Sequence, residues 1–170
     1  CYRRELFDKI GYYDEKLTKS QDFELNKRLK RRGGKIFLLP HIQLTYFVRE
    51  TYSELFRKYY KNGMWNILTA GYTGSLKNLG LRNYIPMVFV FAVMLGAVFS
   101  LLWRPFSYLY GGAVVLYLGV LLIRSISIDS RETSVFHLVW SFLVLHFSHG
   151  LGGLAGIFEL VPRMFGKKRK

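Results

Sequence analysis

The sequence is poor in cysteine and in acidic residues. It contains one cysteine among 170 residues, which excludes an internal disulfide framework and an all-cysteine metal site. Its 11 acidic residues are outnumbered by 25 lysines and arginines, so the net charge is +14. No glycine-rich phosphate loop occurs, and this excludes a nucleotide site of that type within the chain.

Hydrophobic residues make up 51% of the chain but are distributed unevenly. Residues 1–82 are densely charged, whereas the chain from Tyr84 onward consists of long apolar runs separated by short charged islands. This division predicts a soluble head joined to a membrane region. The sequence begins with Cys1 and not with methionine, so we expect it to be a piece of a longer protein. No cleavable signal is visible.

A strongly basic chain has two obvious classes of partner, nucleic acid and an anionic membrane surface. The basic residues cluster at positions 27–32 and 167–170. No aromatic RNA-binding signature and no zinc-ligand spacing accompany these clusters, and basic residues beside apolar spans are common in membrane proteins. The composition therefore predicts membrane lipids as partners and no nucleic acid.

The stretch from Ser20 to Leu29 is the most informative part of the head. It predicts an amphipathic helix with Leu25 and Leu29 on its apolar face and Ser20 as its cap. The first turn carries Asp22 and Glu24, where the helix dipole favours negative charge. Two interpretations are open on the residues alone: the acidic pair stabilises the helix start, or Asp22 is a catalytic base.

The segments that flank this stretch predict a mixed α/β head. A short amphipathic helix is expected over residues 2–10, closed by Gly11. The helix that begins at Ser20 should stop at Gly33. Two stretches rich in apolar and aromatic residues, 35–39 and 43–49, predict strands. The order helix, helix, strand, strand is consistent with the end of an α/β domain.

A helical pattern returns over residues 52–68, where a broad aromatic and apolar face is mixed with basic residues. Gly63 is expected to interrupt this pattern. Such a helix suits the membrane interface, with Tyr and Trp at headgroup depth and the basic side chains reaching water. A helix packed against the head would use the same residues, and both interpretations stay open.

Three long apolar segments follow at residues 85–103, 106–123 and 135–161. The first two are close to the roughly 20 residues that a spanning helix needs. The third also contains histidines, a glutamate and closely spaced glycines. With a cytoplasmic head, a third crossing would place the basic residues 167–170 outside, against the positive-inside rule, whereas a kinked or re-entrant segment would keep them inside.

The predicted divisions are the head, the interfacial helix with its linker, the membrane region and the basic tail, at residues 1–50, 51–83, 84–162 and 163–170.

His146 and His149 are three residues apart and would share one face of a helix. A metal site needs three or four ligands, and no third ligand lies nearby in the sequence. Hydrogen bonds between helices also explain histidines among small residues in a membrane. We therefore predict no metal ligands in this chain. Glu159 would be a functional candidate if buried, but its position predicts the membrane interface.

Several short motifs follow one another along the chain: Arg3-Arg4, Gly11-x-Tyr13-Asp14-Glu15, Asp22-x-Glu24-Leu25-x-x-Arg28-Leu29, Gly33 and Pro40. In this order and spacing they resemble the C-terminal half of the catalytic domain of family-two glycosyltransferases. Residues 49–65 look like the interfacial helix of these enzymes. Residues 146–152 resemble the membrane end of the bacterial succinoglycan and exopolysaccharide type. The resemblance covers nearly the whole chain.

The resemblance implies an inverting transferase of GT-A fold that uses a nucleotide-diphosphate sugar. In the family an upstream Asp-x-Asp motif holds the donor and a divalent metal, Mg or Mn. This chain lacks that motif, so the metal ligands are expected outside it and the chain alone should be inactive. Asp22 matches the family's base, which takes the proton from the acceptor hydroxyl. Gln21 stands where the family usually has glutamate, and we expect it at the acceptor.

Processive relatives carry a Gln-x-x-Arg-Trp motif on the interfacial helix. The resemblance therefore makes Arg57, Lys58 and Trp65 candidates for binding the pyrophosphate or the acceptor, since a guanidinium matches phosphate geometry. A lipid-headgroup anchor is the other interpretation of Arg57.

The implied partners are a nucleotide-diphosphate sugar, a lipid-linked saccharide or polysaccharide acceptor, and membrane lipids. The implied location is the bacterial inner membrane, with several spans and a cytoplasmic catalytic part. The rival function is a non-catalytic membrane scaffold that binds anionic lipid.

Overall fold

The computed structural model describes residues 2–15, 17–45, 50–72, 81–128 and 133–166. Within these ranges the helices are α1 (Arg4–Ile10), α2 (Gln21–Arg31), α3 (Tyr52–Tyr72), α4 (Ile85–Leu102), α5 (Arg104–Ile126) and α6 (Val135–Gly166). A short 3-10 helix, Leu81–Asn83, precedes α4. Each helix predicted from the sequence is present, with its ends shifted by a few residues.

The predicted α/β head is wrong, because the described residues contain no β-strand. Residues 35–39 are irregular, and their apolar side chains face outward, with Phe37 79% and Leu38 91% exposed. A strand exists only when a neighbouring strand takes up its backbone N–H and C=O groups, and the described chain supplies no such neighbour. The second predicted strand is irregular over 43–45, and its remainder, 46–49, lies outside the described residues. The expectation of a GT-A domain within this chain is therefore also wrong.

α1 and α2 form a two-helix head around a small apolar core. The core consists of Ile10, Leu25 and Leu29, with Leu6 and Phe7 packed against it. Gly11 ends α1 as predicted, since it has a φ of 79° and its N–H donates to the Phe7 carbonyl oxygen at 2.8 Å. Ser20 differs from the prediction. It makes no side-chain cap and has a left-handed backbone with a φ of 61°, whereas a capping residue needs an extended one.

α3 and α6 pack side by side and run in the same direction. The neighbouring positions, in order along both helices, are Tyr52 with His137, Gly63 with His149, and Gly71 with Leu160. A Cβ added to Gly63 would lie 2.1 Å from the His149 carbonyl oxygen, and one added to Gly152 would lie 2.0 Å from that of Tyr60. Gly63 therefore does not interrupt α3, contrary to the prediction, but lets its backbone approach α6 closely.

α4 and α5 form an antiparallel hairpin. Phe99 meets Phe106 near the turn, and Phe89 meets Tyr117 further along. α6 approaches the hairpin at its open end, where Gly150 lies against the first turns of α4. The large apolar side chains on the outside of the hairpin are exposed. α4, α5 and α6 are each long and apolar enough to cross a membrane.

α6 is one continuous helix from Val135 to Gly166, with Pro162 inside it. The glycines between positions 150 and 156 do not break it. The sequence allowed a kinked or re-entrant segment at these glycines, but the structure shows no break in the helix there. The predicted basic tail at 167–170 lies outside the described residues.

Candidate functional site

Asp22 lies in the first turn of α2 with its side chain exposed. The Tyr2 hydroxyl donates to Asn26 Oδ1 at 3.0 Å, and Asn26 lies one helical turn beyond Asp22 on α2. Partial burial, the Tyr13 phenol and the negative charge of Asp22 together raise the pKa of Tyr2. A carboxylate, two phenols and an amide thus share one surface of the head.

Gln21 helps to hold the start of α2. Its side-chain amide donates to the carbonyl oxygen of Leu17, and the Leu17 side chain is fully buried. The bond therefore ties the residue before Asp22 to the packed part of the head. The predicted role of Gln21 at an acceptor stays a prediction.

Glu24 and Arg28 form an ion pair one helical turn apart, as the spacing predicts. Arg28 Nε donates to Glu24 Oε1 at 3.1 Å, and Nη2 donates to Oε2. Arg28 Nη1 also donates to the carbonyl oxygens of Ile10 and Tyr12, at 2.7 and 2.9 Å. The hydrogen bond and charge of Glu24 raise the pKa of Arg28. The guanidinium therefore caps the C-terminal end of α1 and holds the loop that follows.

Aromatic rings cover this loop. Tyr12 stacks on Phe7 with ring centroids 5.2 Å apart and planes at 11°. Tyr2 and Tyr13 lie against the same Phe7 ring, at 6.0 and 6.3 Å. Tyr12 is 70% exposed. This aromatic group was not predicted from the sequence, where its only signal is the adjacent tyrosine pair shortly before the acidic stretch.

Arg57, Lys58 and Trp65 lie on α3, away from the head helices along the chain. Arg57 is exposed, Lys58 and Trp65 are half-buried, and Lys58 Nζ is 5.8 Å from the centroid of the Tyr59 ring. Gln21 and Asp22 lie on α2, a different helix. The predicted site residues therefore form two groups, one on α2 and one on α3.

His146 and His149 contact different helices. His146 Nδ1 is 2.8 Å from the Tyr117 hydroxyl of α5, and His149 Nε2 is 3.2 Å from the Asn66 amide nitrogen of α3. The interpretation by hydrogen bonds between helices is thus confirmed. Among the described residues, no three His, Cys, Asp or Glu side chains form a group that could hold a metal ion. Glu159, the other candidate, is half-buried.

Comparison with known proteins gives a distant sequence match. No family model matches the chain, and no solved structure matches it. The succinoglycan biosynthesis protein ExoA of Rhizobium meliloti (strain 1021) is 28% identical to it over 106 residues. This match covers 58% of the chain and 29% of ExoA, so the chain spans less than a third of that relative's length. More than two thirds of ExoA therefore lies outside the matched region.

Proposed function

We propose that this chain is part of a membrane-bound, family-two glycosyltransferase. The whole enzyme would transfer a hexose, with inversion, from a nucleotide-diphosphate donor to a lipid-linked or polysaccharide acceptor. The observation that carries the proposal is the exposed Asp22 carboxylate on α2, one helical turn before Asn26, which accepts a hydrogen bond from the Tyr2 hydroxyl. The 28% identity to ExoA supports a role in synthesis of an exopolysaccharide.

The proposed chemistry needs one base. A sugar hydroxyl is a weak nucleophile until a positioned group accepts its proton. Asp22 would take that proton while the hydroxyl oxygen forms a bond to the anomeric carbon of the donor. The bond from the anomeric carbon to the diphosphate oxygen breaks in the same step, and its electron pair leaves with the nucleoside diphosphate. A single displacement of this kind inverts the anomeric centre.

The donor side of the reaction is proposed to involve residues outside this chain. A divalent metal, Mg²⁺ or Mn²⁺, would offset the charge of the diphosphate when bound. The described residues do not fit such a site, since they provide no three-ligand group. From this chain, the exposed Arg57 is proposed to bind the diphosphate or the acceptor, together with Lys58 and Trp65 of the same helix, α3.

The test is the variant Asp22→Asn in the full-length protein, assayed for sugar transfer in membranes. We expect its rate to fall by about 10²- to 10⁴-fold, the usual contribution of a general base. Asp8→Asn is a matched control, because Asp8 is an exposed aspartate on α1 of the same head. Near-normal transfer by Asp22→Asn would show that Asp22 is not the base.

A non-catalytic scaffold that binds anionic lipid is the second candidate, and one observation favours it. Basic side chains crowd the end of α2, where partial burial and the charge of Arg31 lower the pKa of Lys27. The sequence upstream of this chain distinguishes the two functions, because the enzyme requires a donor-binding motif there. A protein without that motif that binds vesicles only when they contain phosphatidylglycerol would be a scaffold.

A further inference from the structure

The tyrosine rings of the head are not used by the proposed proton transfer. Phe7 covers one face of the Tyr12 ring, and Tyr12 remains 70% exposed. Tyr13 lies against the same phenylalanine and is also exposed. Aromatic rings have large apolar faces that are normally covered when the ring is held in one orientation. A flat, supported and open ring face is therefore a surface on which a ligand can stack.

The loop that carries Tyr12 is held in place before any ligand arrives. Arg28 donates to the carbonyl oxygens on both sides of Gly11, those of Ile10 and Tyr12, at 2.7 and 2.9 Å. Glu24 fixes the guanidinium by two hydrogen bonds. Gly11 has a φ of 79°, a backbone conformation that is unfavourable for residues with a Cβ atom. A surface ordered in this way loses little conformational entropy when it binds.

Polar groups lie at the edge of the rings. The Tyr2 hydroxyl is bonded to Asn26 Oδ1 at 3.0 Å, and Tyr2 lies close enough to Tyr13 and Asp22 to interact with both. Phenol hydroxyls, an amide and a carboxylate can exchange hydrogen bonds with neutral hydroxyl groups. The Asp22 charge disfavours an anionic headgroup at this place, and the polar edge disfavours acyl chains. An apolar face with a rim of hydroxyls is the chemistry of a sugar ring.

We propose that Tyr12 and Tyr13 form a saccharide-binding surface that presents an acceptor hydroxyl to Asp22. The open face of Tyr12 packs against the C–H face of a neutral sugar ring, and Tyr13 and Asn26 bind its hydroxyls. Glu24 and Arg28 act as positioning residues for this surface. The inference rests on the proposed function, because it names the substrate from which Asp22 would take a proton.

The experiment uses saturation-transfer NMR to measure the binding of two probes, methyl β-glucoside and methyl β-galactoside, to the full-length protein. With the unmodified protein we expect transfer to the ring C–H protons of at least one probe. Tyr12→Leu keeps an apolar side chain on Phe7 but removes the aromatic face, and it should weaken probe binding roughly three- to tenfold. Tyr12→Phe should bind as the unmodified protein does. Tyr108→Leu is the control, because Tyr108 is an 83% exposed tyrosine on α5.

The same series separates this inference from the proposed function. Asp22→Asn should keep probe binding and lose sugar transfer. The saccharide-binding surface would be overturned if Tyr12→Leu bound the probes as well as the unmodified protein does. It would also be overturned if the unmodified protein gave no saturation transfer to either probe. The proposed function would survive that result if Asp22→Asn still abolished sugar transfer. Normal sugar transfer by Asp22→Asn together with lost binding by Tyr12→Leu would overturn the base and retain the surface.

Discussion

Asp22 and Glu24 are two residues apart on α2, and the structure gives them different surroundings. Glu24 is paired with Arg28, which in turn binds the carbonyl oxygens at the end of α1. Asp22 is exposed beside Tyr2. The spacing predicts the Glu24–Arg28 pair because residues four apart are neighbours on a helix. The approach of Tyr2 to Asp22 depends on the packing of α1 against α2, which no local pattern encodes.

The pKa of Tyr2 tests whether Tyr2 lies close to Asp22. Burial, Tyr13 and the Asp22 carboxylate all disfavour the phenolate, so Tyr2 should titrate above its ordinary value of 10.0. Asp22→Asn removes one of the negative charges and should move the pKa of Tyr2 down. The measurement is the ultraviolet absorbance of tyrosinate against pH, with Tyr2→Phe subtracted to isolate one phenol.

The sign of the linked effect on stability follows from the same pKa. Because the folded-state pKa is above that of the unfolded chain, the contribution of Tyr2 to stability is complete below the unfolded pKa. It is lost as pH rises through the folded one. An unchanged Tyr2 titration in Asp22→Asn would mean that the two side chains are not neighbours.

At the scale of helices and strands, the sequence predicts α-helices well and strands badly. A helix satisfies its backbone hydrogen bonds within one segment, so periodicity and a closing glycine such as Gly11 are sufficient signals. The stretch 35–39 has the composition of a buried strand, yet it is irregular in the structure. Composition reports that a segment is apolar but not whether a partner strand is present.

The α3–α6 pair depends on its glycines. Gly152→Ala would place a methyl carbon 2.0 Å from the Tyr60 carbonyl oxygen, so the helices must separate. We expect the free energy of unfolding to fall by about 1–3 kcal/mol, which is typical of overpacking. Gly119→Ala on α5 is the matched control, since nothing lies within 4 Å of its added carbon. Thermal unfolding of the detergent-solubilised protein measures both. Equal melting temperatures for the two variants would contradict the close packing of α3 and α6.

At the scale of the whole molecule, the parallel pairing of α3 with α6 bears on membrane topology. Length and composition alone allow α6 to cross a membrane. α3 accompanies it from Tyr52 to Gly71 and carries charged residues in its first half. Each charged side chain at the centre of a bilayer costs about 2.5–3.5 kcal/mol on insertion scales. We therefore expect the α4–α5 hairpin to cross the membrane and the α3–α6 pair to lie at its surface.

Cysteine labelling tests this arrangement in the Cys1→Ser background. Ser134→Cys and Val161→Cys, at the two ends of α6, should react with a membrane-impermeant maleimide from the same side. Trp103→Cys, in the turn between α4 and α5, should react from the opposite side. If positions 134 and 161 react from opposite sides, α6 crosses the membrane and takes α3 with it.

Sequence patterns alone were enough to predict the charged head and the apolar region, the α-helices of the described residues and the candidate base on α2. Each of these depends on residues that are close together along the chain. The packing of the helices was needed to show that Gly63 lies between two helices and does not break one, and that the two histidines bond to different helices. It also placed Tyr12 on Phe7 and Tyr2 beside Asp22. These contacts join residues from different segments, and their geometry follows from how the helices pack, which periodicity does not report.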